Sequence, residues 1–272
     1  MLRTLTIPML ALCTALTIPA ADQKQPAPKS KGELEALQQM FAAQDPDARI
    51  KAAETLLTKY ADTDYKGLAL YVEATGYQQK NDYDKMVVFA EQAVQADPKQ
   101  YQAMLMLATG ISQRTREFDL DREEKLGRAE KYAKDAMVIV KDLPKPNPQV
   151  TDEQWTQAKN DYMSQGHEAL GYAARARKNF DVAIAELKEA ISLSPVPVTM
   201  IQLAATYDQD KKPDEAIPLL EKVMAMPDAS PSIKQYAQAE KVRATQLKSG
   251  SANQPATPAQ SQAPPQVEIK KQ

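Results

Sequence analysis

Helix-hairpin signals recur along this chain at a nearly constant interval, and that periodicity restricts the fold more than any other feature. Ala216 follows Ala183 by 33 residues, and Ile111 follows Tyr77 by 34. A period of this length describes one pair of helices repeated. A single pair cannot bury its apolar face alone, so neighbouring pairs must stack and cover one another. Composition points the same way, with aromatic residues at 6% and only 8 glycines. Ala, Leu, Gln, Glu and Lys dominate the interior, and these residues lose little entropy in a helix. The expected fold is all-α.

Boundary signals locate individual helices. Asp45-Pro46 is an N-cap followed by proline at the first helical position, where a missing N–H costs nothing. The helix it opens carries Ile50, Ala53, Leu56 and Leu57 on one face, and the preceding segment, Glu33 to Ala43, offers Leu34, Leu37 and Phe41 in the same way. Thr151 and Gln154 have the spacing of a capping box, at the head of a long helix through Trp155, Ala158, Tyr162 and Ala169. Ser230-Pro231 starts a last helix that runs to about Leu247.

The clearest repeat spans Ser164 to Pro195. It has Leu170-Gly171 on a first helix, Asn179-Phe180-Asp181 at a turn, Ala183, Leu187 and Ala190 on a second helix, and Pro195 as terminator. This pattern resembles the tetratricopeptide repeat. Gly67 to Pro98 is similar, with Leu70, Ala74, Tyr77, Ala93 and Asp97-Pro98, but has Glu73 where leucine is usual and Met86 where alanine is usual. A third unit, 101–141, holds Met104, Leu107, Ala108 and Ile111, then Ala129, Ala133 and Ala136 nine residues late, which requires an insertion at about 112–128. A fourth, 197–228, has Met200, Leu203, Ala204 and Tyr207, then Ala216, Ile217, Leu220 and Val223.

The resemblance implies a right-handed superhelical array of antiparallel helix hairpins over residues 32–249, with Glu33–Tyr60 and Ser232–Leu247 as capping helices. It also implies a concave groove lined by the first helix of each pair. Carried over position by position, the lining is Leu68, Tyr71, Thr75 and Gln78, then Gln102, Leu105, Thr109 and Gln113. Gln165, Glu168, Tyr172 and Arg175 follow, then Val198, Ile201, Ala205 and Asp208. The partner-binding residues expected from this set are Tyr71, Thr75, Gln78, Leu105, Thr109, Glu168, Tyr172 and Arg175. Tyr71, Tyr172 and Arg175 lead because aromatic and arginine side chains dominate binding hot spots. Family members that clamp a terminal carboxylate carry Lys and Asn where this chain has Tyr71 and Thr75, so that activity is not implied.

The ends have a different character. Arg3 precedes an apolar run from Leu5 to Ala20 that closes in small residues, the layout of a signal peptide over 1–21, cleaved near Ala20 or Ala21. Lipid attachment at Cys13 is disfavoured because Leu12 is not the small residue that should precede it. Residues 22–31 read as a linker. Residues 250–272 contain several prolines and almost no large apolar side chains, too little to offset chain entropy, and are expected to be a disordered tail.

Chemistry is sparse. His167 is the only histidine, which rules out a histidine-based metal cluster or a serine–histidine–aspartate triad. No phosphate-binding loop or glycine-rich dinucleotide turn occurs, and no cofactor or metal is expected. A formal charge of -2 gives no excess cation for nucleic acid. Arg116 to Glu124 alternates charges, but Glu124 stands where an EF-hand loop from Asp119 needs glycine, so a solvated charge run is the better reading. The function expected is a non-catalytic scaffold of the bacterial cell envelope that binds a protein or peptide partner through its groove. The alternative is a structural or self-associating accessory subunit, and a carboxylate-based enzyme ranks last.

Overall fold

A computed structural model describes residues 26–146 and 148–250; the expected signal peptide, the start of the linker and residues 251–272 lie outside the described residues. Among the described residues there are eleven α-helices and no strand. In chain order they are α1 (Lys31–Ala42), α2 (Pro46–Lys59), α3 (Lys66–Gln79), α4 (Tyr83–Ala96), α5 (Tyr101–Arg114) and α6 (Arg122–Lys141). They continue with α7 (Asp152–Ala176), α8 (Phe180–Leu193), α9 (Pro197–Gln209), α10 (Pro213–Ala225) and α11 (Pro231–Lys248). The first ten pair as successive hairpins, and α11 packs on α10 and α9.

Local chemistry explains where helices begin. The side chains of Ser30, Asp45, Asp82 and Ser230 each accept a backbone N–H of the first turn. Thr151 and Gln154 complete their capping box in both directions. Proline occupies the start of α2, α9, α10 and α11.

The turns inside three hairpins are copies of one another. Asn81, Lys178 and Lys211 adopt left-handed backbone, with φ of 56°, 62° and 59°. After each, an N–H reaches back five residues: Asp82 to Tyr77 O at 2.9 Å, Asn179 to Ala174 O at 2.9 Å and Lys212 to Tyr207 O at 2.8 Å. This closure satisfies carbonyls that the end of the first helix leaves unpaired. The α5–α6 hairpin departs. Its connection runs over residues 115–121, and α6 starts at Arg122 and reaches 20 residues.

The core is a chain of clusters, one per junction between hairpins. Leu37, Met40, Leu56 and Ala69 meet between α1, α2 and α3. Leu70, Ala90, Leu107 and Ala129 fill the next junction, and Leu187, Met200, Leu220 and Ile233 the last. Small residues set the spacing. A Cβ added at Gly171 would stand 2.8 Å from Leu187 Cγ and 3.3 Å from the Ala183 carbonyl oxygen, so α7 and α8 are in contact there.

The connection and first turn of α6 are tied to the α7–α8 turn. Arg177 meets Glu123 at 2.7 Å and also pairs with Glu130, Lys178 meets Glu117 at 2.5 Å, and Arg122 donates to the Ala176 carbonyl. Two apolar side chains of the connection are left outside this network: Phe118 is 89% exposed and Leu120 107%. At the other end, residues 26–30 are held down. The Tyr65 hydroxyl donates to the Pro26 carbonyl at 2.8 Å, and the Lys29 N–H donates to the buried Glu33 carboxylate at 2.6 Å.

Candidate functional site

The first helices α3, α5, α7 and α9 share one face of the array. The contact between α5 and α7 is far more extensive than that between α3 and α5, because α7 is 25 residues long and its added N-terminal turns lie along α5. That overlap brings Tyr162 of α7 onto Tyr101 of α5, edge to face, with ring centroids 4.9 Å apart. Their hydroxyls share a hydrogen bond, and Tyr71 of α3 lies close enough to interact electrostatically with both. Burial, together with the neighbouring Tyr162, pushes the Tyr71 hydroxyl up to about 12. All three side chains remain partly exposed. Three successive first helices thus present one tyrosine cluster.

A second, more polar station lies between α7 and α9. Arg175 donates from Nη1 to the Gln202 side-chain oxygen at 2.9 Å and to the Gln202 backbone oxygen at 3.3 Å, with Thr206 Oγ1 at 3.5 Å. Its guanidinium also sits 5.3 Å from the centre of the Tyr172 ring. The Thr199 hydroxyl donates to the Glu168 carboxylate, yet burial outweighs that bond and raises the Glu168 carboxyl above its usual range. Asp208 follows on α9 with its side chain 2% exposed, and neither oxygen has a hydrogen-bond partner in the chain. Desolvation pushes its carboxyl up to about 6, against the pull of Arg243 on α11 at 3.9 Å and with the push of Glu240.

The expected groove residues therefore divide. Tyr71, Thr75, Thr109, Glu168 and Arg175 are partly exposed on the shared face and Gln78 is exposed, whereas Leu105 and Tyr172 are buried beneath it. Leu105 is covered because Tyr101 and Tyr162 pack over it. Tyr101 was not among the expected residues, and Tyr162 was placed only on an apolar helix face. The one available signal was spacing: Tyr101 stands four residues before Leu105, on the same helix face. Elsewhere, His167 Nδ1 lies 2.7 Å from Glu186 of its own hairpin, and no group of three or more His, Cys, Asp or Glu among the described residues could hold a metal ion.

Residues 69–100 and 165–197 match the sequence profile of the tetratricopeptide repeat, on the two hairpins α3–α4 and α7–α8. The chain is a tetratricopeptide repeat protein. No curated protein matches its sequence significantly. Among solved structures, a thermophilic tetratricopeptide repeat protein of Thermus thermophilus superposes with a TM-score of 0.55 at 18% identity, covering 77% of this chain and 99% of the other. PilW, a widely conserved type IV pilus biogenesis factor, superposes with a TM-score of 0.52 at 17% identity, covering 81% and 92%. These likenesses establish the fold. Tetratricopeptide repeats are protein-interaction scaffolds, and the face shared by first helices is where the array presents its groove. In this repeat protein that groove contains the tyrosine cluster and the Arg175–Gln202 station.

Glu73 marks the main departure from the repeat pattern. It takes the usual leucine position of α3 and is 1% exposed. Burial, reinforced by Glu54, pushes its carboxyl up to about 7.

Proposed function

We propose that this repeat protein is a non-catalytic scaffold that holds an extended segment of a protein partner along the face formed by α3, α5, α7 and α9. The observation that carries this reading is the convergence of Tyr71, Tyr101 and Tyr162 from three successive hairpins, with part of each ring accessible. Tyrosine supplies a flat apolar surface and a hydroxyl at low entropic cost, which suits it to binding hot spots. The cell-envelope location belongs to the same proposal and rests on the signal-like sequence of residues 1–21.

Photo-crosslinking tests the reading. Benzoylphenylalanine at Gln165, exposed on α7, is expected to capture a defined partner segment from cells that make the protein, whereas the same group at Val138, exposed on α6, captures none of it. Equal capture from both positions would overturn the groove as the binding face.

The exposed Phe118 and Leu120 favour a second reading, a structural or self-associating accessory subunit that docks through the α5–α6 connection. Light scattering separates the two, since a monomer at all concentrations excludes self-association.

A further inference from the structure

Residues 251–272 share one property with the ligands of aromatic grooves. They contain Pro255-Ala256-Thr257-Pro258 and, six residues on, Pro264-Pro265. A polyproline II helix repeats every three residues, so prolines at 255 and 258 fall on one face. Its carbonyls have no internal partners, and its low conformational entropy makes it a good ligand for surfaces that combine flat rings with hydrogen-bond donors. The tyrosine cluster is such a surface. Tyr101 and Tyr162 meet edge to face, presenting two differently tilted rings, and Tyr71 brings a third hydroxyl from α3.

Geometry permits the two to meet. Packed helices lie about 8–10 Å apart, so the path from α11 past α9 and α7 to α5 is roughly 20–30 Å. In polyproline II conformation at about 3.1 Å per residue, Pro255 would reach roughly 16 Å beyond Gly250 and Pro264 roughly 43 Å. The proline-bearing stretch brackets the required span. Gly250 itself has a φ of 69°, and its N–H bonds the Leu247 carbonyl at 3.2 Å, so the chain turns off the α11 axis at that point.

We propose that the tyrosine cluster is a docking site for a proline-rich segment, and that residues 251–272 of the same chain occupy it when no partner is bound. The inference rests on the groove reading above and adds the class of ligand and a built-in competitor. A partner would then bind by displacing the chain's own segment, and its apparent affinity would fall by the fraction of molecules already occupied.

The test uses the purified full chain with Gln102→benzoylphenylalanine, next to Tyr101 on α5. Illumination at low protein concentration is expected to link position 102 to residues 251–272 within one molecule, as read by mass spectrometry of the monomer band. Replacing Pro255, Pro258, Pro264 and Pro265 together by serine leaves the helical array untouched and is expected to reduce that link at least fivefold. Absence of the link, a link indifferent to the proline replacements, or a link found only in a covalent dimer would each overturn the proposal. Repeating the illumination in cell extract separates the two readings. A foreign segment captured at position 102 without any link to 251–272 in the purified chain defeats this inference and leaves the groove reading standing; capture of neither defeats both.

Discussion

Arg175 of α7 donates to the Gln202 side chain of α9 at 2.9 Å, and this bond ties the third and fourth repeat units together across the groove. The arginine is thereby positioned by the scaffold before any partner arrives. Charge-assisted hydrogen bonds of this kind contribute about 1.5–3 kcal/mol. Arg175→Met, which keeps the stem and removes the donors, is expected to destabilise the array by that amount in urea unfolding. A double-mutant cycle with Gln202→Ala should show coupling of about 0.5 kcal/mol or more, because the two residues touch.

Stability should fall as pH rises from mildly acidic to neutral. The Glu73 carboxyl moves from about 4.5 in the unfolded chain to about 7 in the folded one, so between those values the native state holds a proton that the unfolded state has lost. The contribution is full below about 4.5 and is lost as pH rises through about 7, with a slope near 1.4 kcal/mol per pH unit at most. Asp208, moved from 3.8 to about 6, acts in the same sense over a lower window. Chemical denaturation at pH 5.5 and pH 8 measures the effect. Glu73→Leu should stabilise the protein at pH 8 by about 2 kcal/mol and flatten the profile.

Two glycines should respond to alanine in opposite directions. A Cβ at Gly171 meets Leu187 Cγ at 2.8 Å, and overpacking of this kind costs about 1–3 kcal/mol. A Cβ at Gly127, inside α6, meets nothing within 4 Å. Gly127→Ala should therefore stabilise by about 0.5–1 kcal/mol through helix propensity alone. Thermal melts of the two variants should move in opposite directions from the parent.

Lys211 holds a φ of 59°, a backbone region that lysine enters at a cost and asparagine tolerates better. Asn81 already fills the equivalent turn of the α3–α4 hairpin with a φ of 56°. Lys211→Asn should raise stability by about 0.5–1 kcal/mol, measurable as a higher denaturation midpoint.

The hairpins were legible because small residues such as Gly171, Ala183 and Ala190 recur at spacings that only close helix packing explains. Glu73 was legible as a departure from that pattern. Tyr101 was not, since it is the first residue of its helix and belongs to no repeat position. Tyr162 stands in the added turns of α7, ahead of the repeat, and its meeting with Tyr101 depends on how α7 lies against α5. Arg175 could be placed on the groove from position alone, but its partner Gln202 lies 27 residues on, in the next hairpin. Local spacing reveals helices and their faces; it does not reveal which polar side chains meet across hairpins.

The central claim is that a partner is held in the groove rather than at the α5–α6 connection. The most direct measurement is the affinity of the captured partner for Tyr71→Ala and for Phe118→Ser, each first shown by circular dichroism to retain the parent helix content. Loss of a hot-spot tyrosine is worth about 2 kcal/mol or more, so Tyr71→Ala should weaken binding roughly thirtyfold. Phe118→Ser, at a side chain 89% exposed, should leave both stability and affinity unchanged. Unchanged affinity in Tyr71→Ala together with a loss in Phe118→Ser would contradict the account.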